Sequence, residues 1–190
     1  MPAMRNASLA LREQRGIVRV RVNWPTVDPK PPVVAFLSSD DVRLDTADAL
    51  CRGLCADAGI LVLSVRTACF DTATTTLEWT ADHAEQLDAD PATVLVGGIG
   101  RGGALAAAVA LGARDNGWPD LTRQVLIRPD FSGYPDGLAG VAPATVVGIS
   151  DYSDRLRGAG VEVEQVGAIC DLAPVLRRTM TLDRAAGLNT

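Results

Sequence analysis

The stretch TVLVGGIGRGGALAAAVALGARDNG, Thr93 to Gly117, joins a β-branched run to a glycine cluster and then to an alanine-rich helical segment. Strand, tight turn and helix in that order are the unit from which parallel α/β sheets are built. Gly98, Gly100 and Gly103 also satisfy the spacing G-x-G-x-x-G, in which glycines let backbone N–H groups approach a pyrophosphate at a helix N-terminus. The context argues against a dinucleotide. That fingerprint belongs to the first βαβ unit of its fold, whereas two strand–helix units precede this one. The acid expected at the end of the next strand would be Asp130, but Arg128 and Pro129 come before it. The alternative is a glycine turn required only for tight strand–helix packing.

Outward from this turn, strands and helices alternate. VVAFL, from Val33, and ILVLSV, from Ile60, are continuous apolar runs of the kind buried on both faces of a sheet. Between them DTADALCRGLCADAG reads as a helix with its N-cap at Asp45 or Thr46 and its stop at Gly59. TTTLEWTADHAEQLDAD reads as an amphipathic helix stopped by Pro91, and QVLIRPD as a further strand. Then follow a glycine- and proline-rich connection, a strand ATVVGIS, a short helix YSDRLRGAG, a strand VEVEQVG and a closing helix, Leu172 to Gly187. Near the start, GIVRVRVNW (Gly16 to Trp24) alternates as an exposed or edge strand does. The expected architecture is α/β, a three-layer sandwich with a mostly parallel central sheet, spanning residues 1–190 as one domain.

Composition narrows the partners. The 190 residues are 47% hydrophobic and 22% charged, with a net charge of -5. Lysine is nearly absent, and arginines are scattered singly among acids, so no basic footprint for nucleic acid or an anionic membrane is present. The N-terminal segment MPAMRNASLALREQRG lacks the apolar core of a secretory signal, which makes the cytoplasm the expected compartment. Cys51 and Cys55 lie one helical turn apart, but no second Cys/His pair has ligand spacing and the only histidine is His83. Buried thiols, with no metal and no cofactor, are the expectation.

Over Pro32 to Phe131, and again in GVAPATVVGISD…DRLRGAGVEVEQVGAIC, the chain resembles the hormone-sensitive-lipase-like branch of the α/β-hydrolase fold. That resemblance implies a serine presented on a strained elbow as G-D-S-A-G-G, a histidine, an acid and an H-G-G-G oxyanion loop. Carried over residue by residue, the elbow falls on Gly98-Ile99-Gly100-Arg101-Gly102-Gly103, so the serine position holds Gly100. The oxyanion loop falls on Leu37-Ser38-Ser39-Asp40, and the histidine position holds Cys170. The acid alone is kept, as Asp151. Cys170 has no base near it in sequence and reads as a small core residue. Ser38 and Ser39 likewise have no evident base.

Members of that branch carry a cap built from an N-terminal segment and an insertion after the strand QVLIRPDF. Here the insertion is only SGYPDGLAG, so a capless fold is expected. These losses lead to the expectation of a catalytically degenerate homologue, a pseudoenzyme that binds a small hydrophobic or anionic ligand or a protein partner. Ser38, Ser39, Asp40, Asp41 and Arg101 would line its cleft between Leu37–Asp41 and Gly98–Gly103. The alternatives are a non-hydrolytic enzyme of cyclase or lyase type in the same cleft, and a nucleotide binder. Without a cap, the rims at Phe36, Leu37, Phe70 and Phe131 should be bare, which predicts a homodimer or hetero-complex.

Overall fold

A computed structural model describes residues 5–13, 16–26, 30–131, 133, 135–148 and 150–187. Eight strands form one sheet in the order β1-β2-β4-β3-β5-β6-β7-β8. They are β1 Arg5–Glu13, β2 Gly16–Trp24, β3 Val33–Ser38, β4 Leu61–Arg66, β5 Val94–Ile99, β6 Arg123–Ile127, β7 Ala144–Val147 and β8 Val163–Val166. β1 pairs with β2, and β2 with β4, antiparallel; every other pairing is parallel. The helices are α1 Leu44–Ala58, α2 Phe70–Asp82, α3 Arg101–Asn116, α4 Asp151–Gly158 and α5 Leu172–Gly187.

Strand alternation divides the core between the two faces of the sheet. Val33, Ala35 and Leu37 of β3 join the side chains of α2, α3 and α4, whereas Val34 and Phe36 join those of α1 and α5. With helices on both faces, β3 and β5 are buried along their whole length, which is why their sequences run apolar without interruption. This is the three-layer sandwich that the order of segments predicts. Among the described residues, no helix or strand intervenes between β6 and β7, so the cap insertion is absent there.

Several local expectations need correction. β2 is not an edge strand, because β1 pairs along its full length and becomes the edge. β1 occupies most of the segment weighed above only as a signal peptide; Met1 to Met4 of that segment lie outside the described residues. Helix α1 has Arg43, not Asp45 or Thr46, at its N-cap, and Asp45 Oδ1 accepts from the Thr46 N–H inside the first turn. Helix α2 starts earlier than expected, at Phe70, and ends at His83 well before Pro91. A short 3-10 turn, Glu85–Leu87, then tucks Leu87 into the core. Gly59 closes α1 in the left-handed conformation, as expected.

Candidate functional site

The turn between β5 and α3 lies at the carboxyl end of the central strands, where open parallel sheets place their sites. Its apex is Gly100, with φ 59° and ψ -128°, a conformation that side-chain-bearing residues adopt only under strain. The Gly100 N–H donates to Ile127 O at 3.0 Å, and its carbonyl accepts from the N–H groups of Gly103 and Asp130, each at 3.0 Å. The Asp130 backbone therefore fastens the elbow to the end of β6.

The glycines two places either side of the apex have a steric cause. A Cβ on Gly98 or on Gly102 would overlap the carbonyl oxygen of Leu37, and Gly98 would also strike the Gly102 backbone. The elbow and the end of β3 are thus packed backbone against backbone. This is the requirement of a nucleophile elbow, and it removes the basis of the nucleotide reading. It also closes the expected cleft at Leu37, Gly98 and Gly102, leaving Ser39 and Arg101 as the residues of the two stretches that line the open space beside the elbow.

The open cleft lies alongside the elbow and has a volume of about 820 Å³. Its lining includes the polar residues Ser39, Arg101 and Asp130 and the apolar residues Ala104, Leu105 and Phe131. Arg101 Nε lies 4.0 Å from Asp130 Oδ2, and both side chains are largely exposed.

At the apex a carboxylate stands where the family carries its nucleophile. A Cβ built on Gly100 would overlap Asp41 Oδ2. That oxygen accepts the Arg101 N–H at 3.0 Å, and Oδ1 accepts the Ser39 hydroxyl in a short hydrogen bond. Partial burial pushes the Asp41 carboxyl up, but the bonds from Ser39 and from the Arg101 N–H, with the Arg101 charge, together hold it below the ordinary value. The loop adopts this shape because Ser39, Asp40, Asp41 and Val42 make a tight turn closed by Val42 N–H to Ser39 O at 3.2 Å.

The structure thus brings together Ser39, Asp41, Gly100 and Arg101 and separates the remaining candidates. Asp40, not Asp41, was the carboxylate expected at the oxyanion position; it points to solvent and pairs with Arg66 at 2.8 Å. Ser38 is buried at 5% exposure and lines a different groove, beside Arg66 and Cys51. Asp151 opens α4 after β7. Cys170 sits in a 3-10 turn after β8. Cys170 is exposed, with Sγ 3.7 Å from Asp171 Oδ1, which corrects its reading as a core residue. Cys51 and Cys55 are buried as expected. Among the described residues, no group of three or more His, Cys, Asp or Glu could hold a metal ion.

The carboxylate within hydrogen-bond reach of the Ser39 hydroxyl is Asp41, two residues away. Sequence reading passed over it because Asp41 was placed with the ligand-binding residues and not with the nucleophile candidates. The expected bare rim is also reduced. Phe36 and Leu37 have no exposed surface, Phe131 packs on Tyr152 with ring centroids 4.5 Å apart, and only Phe70, at 44%, stands out.

Comparison with known proteins follows this geometry. A profile described as alpha/beta hydrolase fold matches residues 41–146, more than half of the chain. Esterase LipI of Mycobacterium tuberculosis is 32% identical over 143 residues, covering 67% of this chain and 45% of that protein. Carboxylesterase NlhH of the same species is 33% identical over 125 residues, covering 59% and 39%. The chain therefore spans less than half the length of these relatives. A solved esterase of Pyrobaculum calidifontis superposes with a TM-score of 0.81 at 20% identity, over 93% of this chain and 86% of that one. The esterase names of the relatives overturn the expectation of a degenerate binding module, and with it the pseudoenzyme label and its cyclase and nucleotide alternatives; they point to hydrolysis. The matched segment, the strand order and the elbow agree: the chain belongs to the α/β-hydrolase fold family, in its hormone-sensitive-lipase-like branch.

Proposed function

We propose that this protein hydrolyses small, uncharged carboxylic esters in the cleft beside the elbow. The observation that carries the reading is the position of that cleft. It lies against the β5–α3 turn, with the Ser39 hydroxyl and the Arg101 guanidinium among its polar lining groups and alanine, leucine and phenylalanine side chains among its apolar ones. An ester has the same division, a polar reacting carbonyl attached to apolar arms. The relatives' names supply the reaction class. The serine–histidine route has no atoms to run on at Gly100 and Cys170, so the chemistry falls to other groups in the cleft. Positioned acid–base groups without a full triad contribute about 10²–10⁴-fold, so turnover is expected to be slow.

The test is hydrolysis of p-nitrophenyl acetate and butyrate. The expected result is release of nitrophenol in proportion to protein, absent after heat denaturation and weakened when Leu105→Trp fills the apolar lining. A rate equal to buffer for both esters would overturn the reading. None of the four cysteines forms a disulfide, which supports a reducing compartment, and we propose the cytoplasm. Among the described residues, no helix is long and apolar enough to cross a membrane.

A further inference from the structure

Resting on the ester-hydrolase reading, we propose that Ser39 is the nucleophile of this site and Asp41 its general base. An activated serine is recognised by a base within hydrogen-bond reach that is itself oriented by a third group. All three parts are present. The Ser39 hydroxyl donates to Asp41 Oδ1, and Asp41 Oδ2 is fixed by the Arg101 N–H at 3.0 Å. The rest of the chain locks this arrangement. Gly100 has no Cβ, and a Cβ there would overlap Asp41 Oδ2. The loss of the elbow's side chain therefore creates the space that the carboxylate fills. Ser39 is 4% exposed and is one of the residues lining the cleft, which places the Ser39–Asp41 pair at the cleft's edge.

The reaction sequence balances with water as the only co-reactant. Ser39 Oγ attacks the ester carbonyl carbon, and its proton passes to Asp41. The carbonyl π pair moves onto oxygen, where the Arg101 guanidinium in the same lining offers positive charge. When the C–O bond to the alcohol breaks, the alkoxide takes the proton back from Asp41. Water then attacks the acyl-Ser39, delivers its proton to Asp41, and the Oγ–acyl bond breaks. Ser39 leaves with that proton, and the free acid is released.

A fluorophosphonate probe with mass-spectrometric mapping tests the pair independently of turnover. Wild type is expected to be labelled on the peptide carrying Ser39. Ser39→Ala abolishes that label, and Asp41→Asn, which keeps the shape but not the basicity, slows it by at least 100-fold. Ser38→Ala, in the other groove, leaves labelling unchanged and serves as the folding control alongside circular dichroism. Ester turnover should fall in parallel in Ser39→Ala and Asp41→Asn. Absence of label on Ser39, or equal labelling in Asp41→Asn, would overturn the pair. Ester turnover that survives Ser39→Ala would overturn it too while leaving the ester-hydrolase reading intact. Labelling of Ser39 without turnover of any ester would instead sink that reading and keep the reactive pair.

Discussion

Gly100 shows how one residue can decide the chemistry of the turn. Its positive φ and the Asp41 carboxylate above it leave no room for a side chain. Restoring the family residue with Gly100→Ser should therefore not restore a fast esterase. The new side chain must expel Asp41, breaking its bonds to Ser39 and Arg101, and the place after β8 still holds Cys170. A non-glycine residue in this conformation costs about 1–3 kcal/mol. In a domain of this size each kcal/mol lowers Tm by about 2–4 °C. The expected result is a lower Tm, loss of the Ser39 label and no gain in ester turnover. Rapid labelling at position 100 with an unchanged Tm would show that the elbow accepts a serine without displacing the carboxylate.

Helix α1 illustrates how an element sets the behaviour of its side chains. Its inward stripe of Ala47, Cys51, Leu54, Cys55 and Ala58 follows helical spacing and packs on the sheet and α5. Burial pushes the thiols of Cys51 and Cys55 up to about 12, so neither forms thiolate near neutrality. Cys170, in a 3-10 turn, is exposed at the surface. A thiol reagent such as DTNB should therefore modify Cys170 first in the native protein, Cys69 more slowly, and Cys51 and Cys55 only after denaturation. Fast reaction at Cys51 would mean that α1 separates from the sheet in the native state. Leu54→Ala, which opens a cavity under the same stripe, should expose both thiols at lower denaturant and cost about 2–5 kcal/mol.

For the whole molecule, the sheet runs unbroken from β1 to β8, and β5 lies at its centre with helices on both faces. We propose that the chain unfolds as one cooperative unit. Circular dichroism reports the helices, while Trp24 on β2, Trp79 on α2 and Trp118 after α3 report three separate regions by fluorescence. Urea titrations by the two methods should give coincident midpoints. A separate early fluorescence transition would instead mark the β1–β2 hairpin as an independent unit. That hairpin is joined to the parallel sheet through a four-residue register, Val20 to Asn23 on β4.

The sequence by itself determined the layers, most of the element order and the elbow. Burial on two faces demands uninterrupted apolar strands, and a strand–helix turn pressed against β3 demands glycine; both demands are local and leave a local trace. The letters also show that the glycine turn carries Gly100 at its centre, with no side chain to offer. Where an element ends was less legible. Helix α2 stops at His83, whose ring stacks on Trp79 and whose Nδ1 lies 2.9 Å from Trp79 O, an arrangement that no breaker residue announces. Only the tertiary structure decided the site. Asp41 and Arg101 are sixty residues apart and meet because β3 and β5 are neighbours in the sheet, with Leu37 in register with Gly98. Periodicity records which face of an element is buried, but not which loop lies beside which. The pairing of β3 with β5 places Asp41 over the glycine, and the missing Cβ leaves it room to stay there.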